Sequence, residues 1–423
     1  MLTKKDEIDS LYAGRSADSP NTKTLANVIR SVVNDTLAGG KYLNELLQNA
    51  DDAKSSEVEF RVAGEYLLFK HYGKGFEKSD VDAICDAASP DRAKLEDAEQ
   101  IGNKGIGFKA VFSMASQVII FSEGYQFRFD EKHEKWSDCV DKYPWPIIPI
   151  WTELTNVPEV FHSDLQEPDS VNFIFKIRPA LLEDICKQLS RIRSKDFLFL
   201  RKTKQARIKV NTCLVEVKNY ERTTKLYASK KVHDEIEEVK ITDNWAWLIY
   251  KKDCKISDTL RAEIKNATEV PEKYKEWENI PITLAVSIQD GKIKSYNYKK
   301  NVFCYLPTDI DFNSKFLINA EFVLDTARMH LCSGSGANAW NKFIFESVAY
   351  EHVRFLSLVA IHTNYWPNVL DLILVAPKQF ADACKKQLSS ALNDFNLVSN
   401  NGRKFIIRAN SSRIDVHNFI NSF

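Results

Sequence analysis

The segment Leu43-Asn44-Glu45-Leu46-Leu47-Gln48-Asn49-Ala50-Asp51-Asp52-Ala53 sets a carboxylate, an amide and a second carboxylate four and three residues apart. On a helix this spacing puts Glu45, Asn49 and Asp52 in one stripe and turns Leu43, Leu46, Leu47 and Ala50 toward a core. A hard cation such as Mg2+ takes oxygen ligands and keeps several waters, so one amide oxygen from Asn49 would suffice as its protein ligand. Glu45 could then orient a water and take its proton as it attacks a γ-phosphate. A solvated helix face shows the same residue types at the same spacing, so the stripe alone does not decide between chemistry and surface.

Two glycine-bearing segments follow. His71-Tyr72-Gly73-Lys74-Gly75-Phe76 closes a strand-like run, and its two glycines permit a tight turn or a close backbone approach to a ligand. Ile101-Gly102-Asn103-Lys104-Gly105-Ile106-Gly107-Phe108 opens a helix, where backbone N–H groups suit phosphate oxygens. Its order is GxxGxG, neither the GxGxxG that opens a βαβ unit nor a loop ending in Gly-Lys-Ser/Thr.

Taken in order, ELLQNADDA, HYGKGF and IGNKGIGF resemble the N, G1 and G2 boxes of the GHKL ATPases (gyrase, heat-shock chaperone, histidine kinase, MutL) over residues 20–180. The resemblance implies ATP and Mg2+ as cofactors, Glu45 as general base, Asn49 as Mg2+ ligand and Asp52 as polar support. Gly73 and Gly75 would shape the adenine side. Gly102, Lys104, Gly105, Ile106, Gly107 and Phe108 would surround the phosphates, and the polar stretch Ser89 to Lys104 would be the lid. The family usually carries an aspartate two residues before the first G1 glycine, accepting from the adenine amino group; this chain has His71. A neutral imidazole nitrogen can accept one hydrogen bond, which leaves adenine recognition open but puts its specificity in doubt.

Downstream, Phe303 to Thr308, Phe316 to Phe322, Asp325-Thr326-Ala327-Arg328 and Trp340-Asn341 resemble the sacsin-like, large heat-shock-chaperone-like branch. In the chaperones a comparable loop delivers an arginine to the γ-phosphate, which makes Arg328 the second catalytic candidate. Trp340-Asn341 reads as packing.

These motifs need a scaffold of mixed type. Helices are expected over 24–38, with Leu25, Val28, Ile29, Val32 and Val33 on one face, over 42–54, after a cap at Ser79, and over 108–114. Strands are expected at 57–62, 66–69, 118–121, 125–129 and 171–177, the last of these closing the first sheet. The fold class is therefore α+β, and the resemblance gives it a form. A Bergerat-type α/β sandwich over 1–200, a mixed sheet covered by helices on one face, precedes a middle α/β domain over 201–350 and a helical or mixed segment over 351–423. Alternating runs at 206–210, 245–250, 282–288 and 301–306 supply the second domain's strands.

Bulk composition narrows the function classes. Lys plus Arg equals Asp plus Glu at 58 each, so nothing favours a general nucleic-acid binder. The basic run Arg201 to Lys209 is short and reads as a solvated strand edge. Eight single cysteines without a CxxC pair read as reduced core thiols. With no signal-peptide core at Met1 to Glu7 and no long apolar run, a cytoplasmic location is expected. There is no HExxH and no GxSxG. No histidine precedes His71, which argues against a histidine kinase.

The resemblance thus implies a slow ATPase acting as a conformational switch of chaperone type, with ATP and ADP as ligands and an ATP-dependent homodimer as a family expectation. It leaves open a DNA-associated clamp of MutL or MORC type, a subunit of bacterial anti-phage defence, and a nucleotide-binding pseudo-ATPase. Sacsin-like proteins are usually much longer, so this chain could be part of a larger protein. The sequence identifies no client or partner.

Overall fold

The computed structural model describes residues 3–17, 22–37, 42–86, 106–210, 223–228, 235–242, 245–294, 300–325, 328–363, 365, 372–374 and 377–395. It divides into two compact units, Met1–Glu221 and Arg222–Phe423. Both are α+β with mixed sheets, the first having the character of the expected Bergerat sandwich.

The first unit runs α1 (Lys4–Arg15), α2 (Thr22–Leu37), α3 (Tyr42–Asp52), β1 (Glu57–Ala63), β2 (Tyr66–His71), α4 (Lys78–Cys85), α5 (Ile106–Lys109), α6 (Val111–Met114), β3 (Ala115–Ser122), β4 (Tyr125–Asp130), β5 (Ile150–Trp151), α7 (His162–Leu165), β6 (Val171–Ile177), α8 (Pro179–Arg191) and β7 (Gln205–Lys209). Its sheet order is β5-β4-β3-β6-β2-β1-β7, antiparallel except for the β1–β7 pair. Strand β6 therefore does not close the sheet, because β7 lies parallel to β1, Val58 opposite Ala206 and Phe60 opposite Ile208. The expected boundary at 200 falls before this strand, whereas the compact unit extends to Glu221.

Strand register gives the sheet two chemically distinct faces. Val58, Phe60, Phe69, His71, Phe173, Phe175 and Phe129 share one face, on which Phe108 of α5 and Phe112 of α6 pack edge-on or tilted. The opposite face is covered in part, since Leu68, Ile119, Phe121 and Ile174 pack with Val157 and Phe161.

Two local expectations shift. Along α2, Ala26 and Ile29 are buried while Val28 is 45% exposed, so the helix meets α5 and α6 through a slightly rotated stripe. Helix α4 is capped at Glu77, whose backbone N–H donates to Asp80 Oδ2 at 3.0 Å, so it begins before Ser79.

The second unit comprises β8 (Thr223–Ala228), β9 (Glu235–Thr242), β10 (Trp245–Lys255), α9 (Asp258–Ile264), α10 (Glu272–Lys275), β11 (Asn279–Gln289), β12 (Lys292–Lys294), β13 (Val302–Cys304), β14 (Leu306–Pro307), β15 (Leu317–Ala320), α11 (Ser335–His362) and α12 (Ala381–Asp394). Its sheet is ordered β14-β13-β15-β11-β10-β9-β8, with β12 on β11. Helix α11 runs through residue 350, and its Trp340, Ile344, Phe345 and Val348 share one core with Leu248, Leu284 and Ile318. A boundary at 350 would cut this helix, and Leu388 and Leu392 of α12 join the same core.

Candidate active site

Helix α3 forms because its leucines recur at helical spacing, and Leu43, Leu46, Leu47 and Ala50 are all buried. That burial fixes the helix's rotation and leaves Glu45, Asn49 and Asp52 half-buried along one stripe. α3 lies against α5, the short helix that follows the glycine loop. The stripe and the backbone of Ile106 and Gly107 are thereby on neighbouring elements.

Asp51 also matters, although the motif reading passed over it. It falls four residues after Leu47, on the apolar side, and is 3% exposed. Its carboxylate accepts from the backbone N–H groups of Arg201 (3.0 Å), Lys202 (2.7 Å) and Thr203 (2.8 Å). An acid at a leucine position was the available signal, because a buried carboxylate must find donors. The bonds tie the end of α3 to the segment that leads into β7.

The HYGKGF loop is stapled at both ends. Tyr72 N–H donates to Ser55 Oγ at 3.0 Å and Lys74 N–H to the Ala53 carbonyl at 2.7 Å, while Phe76 N–H donates to Ser122 Oγ at 2.9 Å. A Cβ on Gly73 would run into the Ala53 carbonyl, and one on Gly75 into the Glu123 side chain. Both glycines thus let this loop pack against the protein's own chain, at the end of α3 and at the β3–β4 turn.

His71 ends β2 and is 3% exposed. Its Nδ1 accepts the Gly73 N–H at 3.1 Å, so the acceptor expected to serve a base is already engaged. Burial pushes its pKa down to about 3, keeping the ring neutral. The ring lies 5.9 Å from Phe69 and 6.0 Å from Phe173 between centroids. Phe173 also meets Phe76 at 6.0 Å and Phe108 at 5.8 Å, making it the hub of an aromatic wall. Phe173 lay outside every motif, and only the alternation of residues 171–177 hinted at it.

Lys109, directly after Phe108, is 1% exposed and donates to the Ile84 carbonyl. Burial lowers its pKa to about 8. Gly102, Lys104, Gly105 and the expected lid Ser89 to Lys104 lie outside the described residues. Phe108 is 5% exposed and belongs to the aromatic wall.

Arg328 lies in the second unit, half-buried, with φ +56° in a loop organised by Asp325. Asp325 Oδ1 accepts from Met329 N–H at 2.8 Å, and Arg328 Nη2 lies 3.9 Å from Cys304 Sγ. Nearby, Glu321 accepts from the Tyr274 hydroxyl at 2.8 Å and from the Tyr305 hydroxyl. Trp340 and Asn341 are fully buried; Trp340 Nε1 donates to the Glu321 carbonyl and Asn341 brackets the Val323 backbone.

Among the described residues no His, Cys, Asp and Glu cluster could by itself hold a metal. Among the described residues no helix is long and apolar enough to cross a membrane.

Residues 40–152 match the family model described as histidine kinase-, DNA gyrase B- and HSP90-like ATPase. The match places this segment in the GHKL ATPase superfamily, whose members typically bind ATP with Mg2+. It contains α3, the HYGKGF loop and the start of α5. Protein NO VEIN of Arabidopsis thaliana is 23% identical over 347 residues, which cover 79% of this chain and 12% of that protein. The chain thus spans a small part of the length of that curated relative.

Proposed function

We propose that the first unit binds Mg-ATP beside α3 and hydrolyses it. The observation that carries this reading is the half-buried stripe of Glu45, Asn49 and Asp52, fixed by the leucines behind it and set against the helix that follows the glycine loop. Asn49 would offer its amide oxygen to Mg2+ and Asp52 would support the site's polar network. When bound, Mg2+ supplies positive charge to the phosphate oxygens. Glu45 would hold the attacking water by hydrogen bond and accept its proton. The backbone of Gly102, Gly105 and Gly107, with Lys104, would cradle the phosphates, while Phe108 and Phe173 exclude water from the apolar side. His71, Gly73 and Gly75 would border the base.

Turnover would drive a conformational switch, with Arg328 stabilising γ-phosphate charge in the closed state. Its place beside Cys304, in a loop held by Asp325, supports a fixed cation rather than a freely sampling one. The chaperone-like use of that switch rests on the resemblance of residues 303–341 to sacsin-like proteins.

The test is Mg-dependent ATP binding and phosphate release by the full chain and by Glu45→Ala and Asn49→Ala. Glu45→Ala should bind ATP and fail to turn it over, and Asn49→Ala should lose Mg-nucleotide. A wild type that neither binds nor hydrolyses ATP overturns the reading.

A further inference from the structure

The aromatic wall presents one polar nitrogen whose hydrogen-bonding sense is set by the fold. Neutral imidazole has one donor and one acceptor nitrogen, and the bond made by one fixes the role of the other. Because His71 Nδ1 accepts the Gly73 N–H at 3.1 Å, the ring proton sits on Nε2. An imidazolium would set Nδ1–H against Gly73 N–H, and burial at 3% exposure disfavours it further. Among the described residues no protein group is hydrogen-bonded to Nε2. Gly73 cannot readily move away to free Nδ1, since its backbone is packed on the Ala53 carbonyl and the next N–H is bonded to it at 2.7 Å.

A carboxylate at this position would have two acceptor oxygens, one for Gly73 N–H and one for an exocyclic amine. His71 keeps the first bond and reverses the second. Resting on the nucleotide reading above, we infer that His71 is a base-specificity residue whose Nε2–H selects a purine with an acceptor at C6, a 6-oxopurine, over adenine. Adenine's amino group would set N–H against N–H, and the neighbouring Phe69 and Phe173 rings offer no acceptor in exchange. A 6-oxo group accepts the bond instead. Sites built on one buried hydrogen bond reject the mismatched partner strongly, because the mismatch strands a polar group.

The experiment is equilibrium binding of the Mg2+ complexes of inosine triphosphate and ATP to the full chain, by calorimetry. The two ligands differ at C6 and in the protonation of N1 that accompanies it. Wild type should bind the inosine nucleotide about tenfold more tightly. His71→Asn and His71→Asp have nearly equal size and differ in one group, an amide NH2 against a carboxylate oxygen. Asn, accepting from Gly73 through its oxygen and donating through its NH2, should retain the 6-oxo preference. Asp should reverse it in favour of ATP by a similar factor.

A wild type that binds ATP as tightly as or more tightly than inosine triphosphate overturns the inference, as does an identical ratio in the Asn and Asp variants. If either variant fails to unfold cooperatively on heating, the wild-type ratio alone decides. Binding of neither nucleotide by any of the proteins removes the nucleotide reading itself, and this inference with it.

Discussion

Lys70 and His71 are consecutive on β2, equally buried at 3% exposure, and point to opposite faces of one sheet. Lys70 Nζ bonds Asp164 Oδ1 at 3.1 Å and Glu167 Oε2 at 2.6 Å, while Arg61 pairs with the same Asp164 and the Tyr72 hydroxyl donates to Glu167 at 2.9 Å. Burial works against the charge on Lys70, yet the bonds from Glu167 and Asp164 outweigh it and raise its pKa. Its neighbour pairs with no acid among the described residues and answers burial by staying neutral, with one nitrogen committed to Gly73. On one face burial has been offset by partners, as structural ion networks require; on the other a polar group is held ready among aromatic rings. A buried polar residue therefore signals function less by its burial than by the bonding capacity left over.

Four perturbations probe this contrast. The largest effect should come from the functional face. Glu45→Ala should cut ATP turnover by about 100- to 10,000-fold with little change in urea unfolding, since Glu45 is not part of the leucine core of α3. A comparable loss of stability would make Glu45 a structural residue. Lys70→Met should do the reverse. Removing one partner of a buried pair costs about 3 kcal/mol here, at the low end because Arg61 remains beside Asp164. Denaturant titration reads it, and a stable Lys70→Met protein would show the network to be dispensable.

Gly73→Ala links the two faces, because its Cβ would collide with the Ala53 carbonyl at the end of α3. Overpacking should cost about 2 kcal/mol and weaken nucleotide binding as well; an unaffected thermal midpoint would mean that the loop is looser than this packing implies. The fourth probe is pH. His71 titrates at about 3 when folded and near 6.5 when unfolded, so the unfolded chain binds more protons between these values and stability falls as pH drops through that window. Lys70, raised above its unfolded value near 10.4, contributes stability fully present below that pH and lost as pH climbs beyond it. Unfolding free energy measured across pH should lose the His71 share of its acid slope in His71→Asn and the Lys70 share of its alkaline slope in Lys70→Met. Unchanged slopes would remove both assignments.

Much of the first unit was legible from local pattern. The leucine spacing of α3 fixed which side chains it buries, and the strands expected at 57–62, 66–69, 125–129 and 171–177 all formed within two residues of their expected ends. Arg207 and Lys209 lie on an edge strand and pair with Glu57 and Glu59, as the solvated-edge reading of that basic run anticipated. Less legible were features whose partner is distant in sequence. Strand β7 joined the first sheet by pairing with β1, about 150 residues earlier. Asp51 found its donors at Arg201, Lys202 and Thr203.

By itself the sequence determined the order and chemistry of the motifs, the apolar face of α3 and the mixed fold class, because periodicity and residue type act over a few residues. Tertiary structure decided what those groups can still do. It committed His71 Nδ1 to Gly73, placed Phe173 where His71, Phe76 and Phe108 meet, and surrounded Lys70 with carboxylates. A hydrogen bond's direction depends on which partner arrives first at each lone pair, and long-range packing, not local propensity, brings that partner.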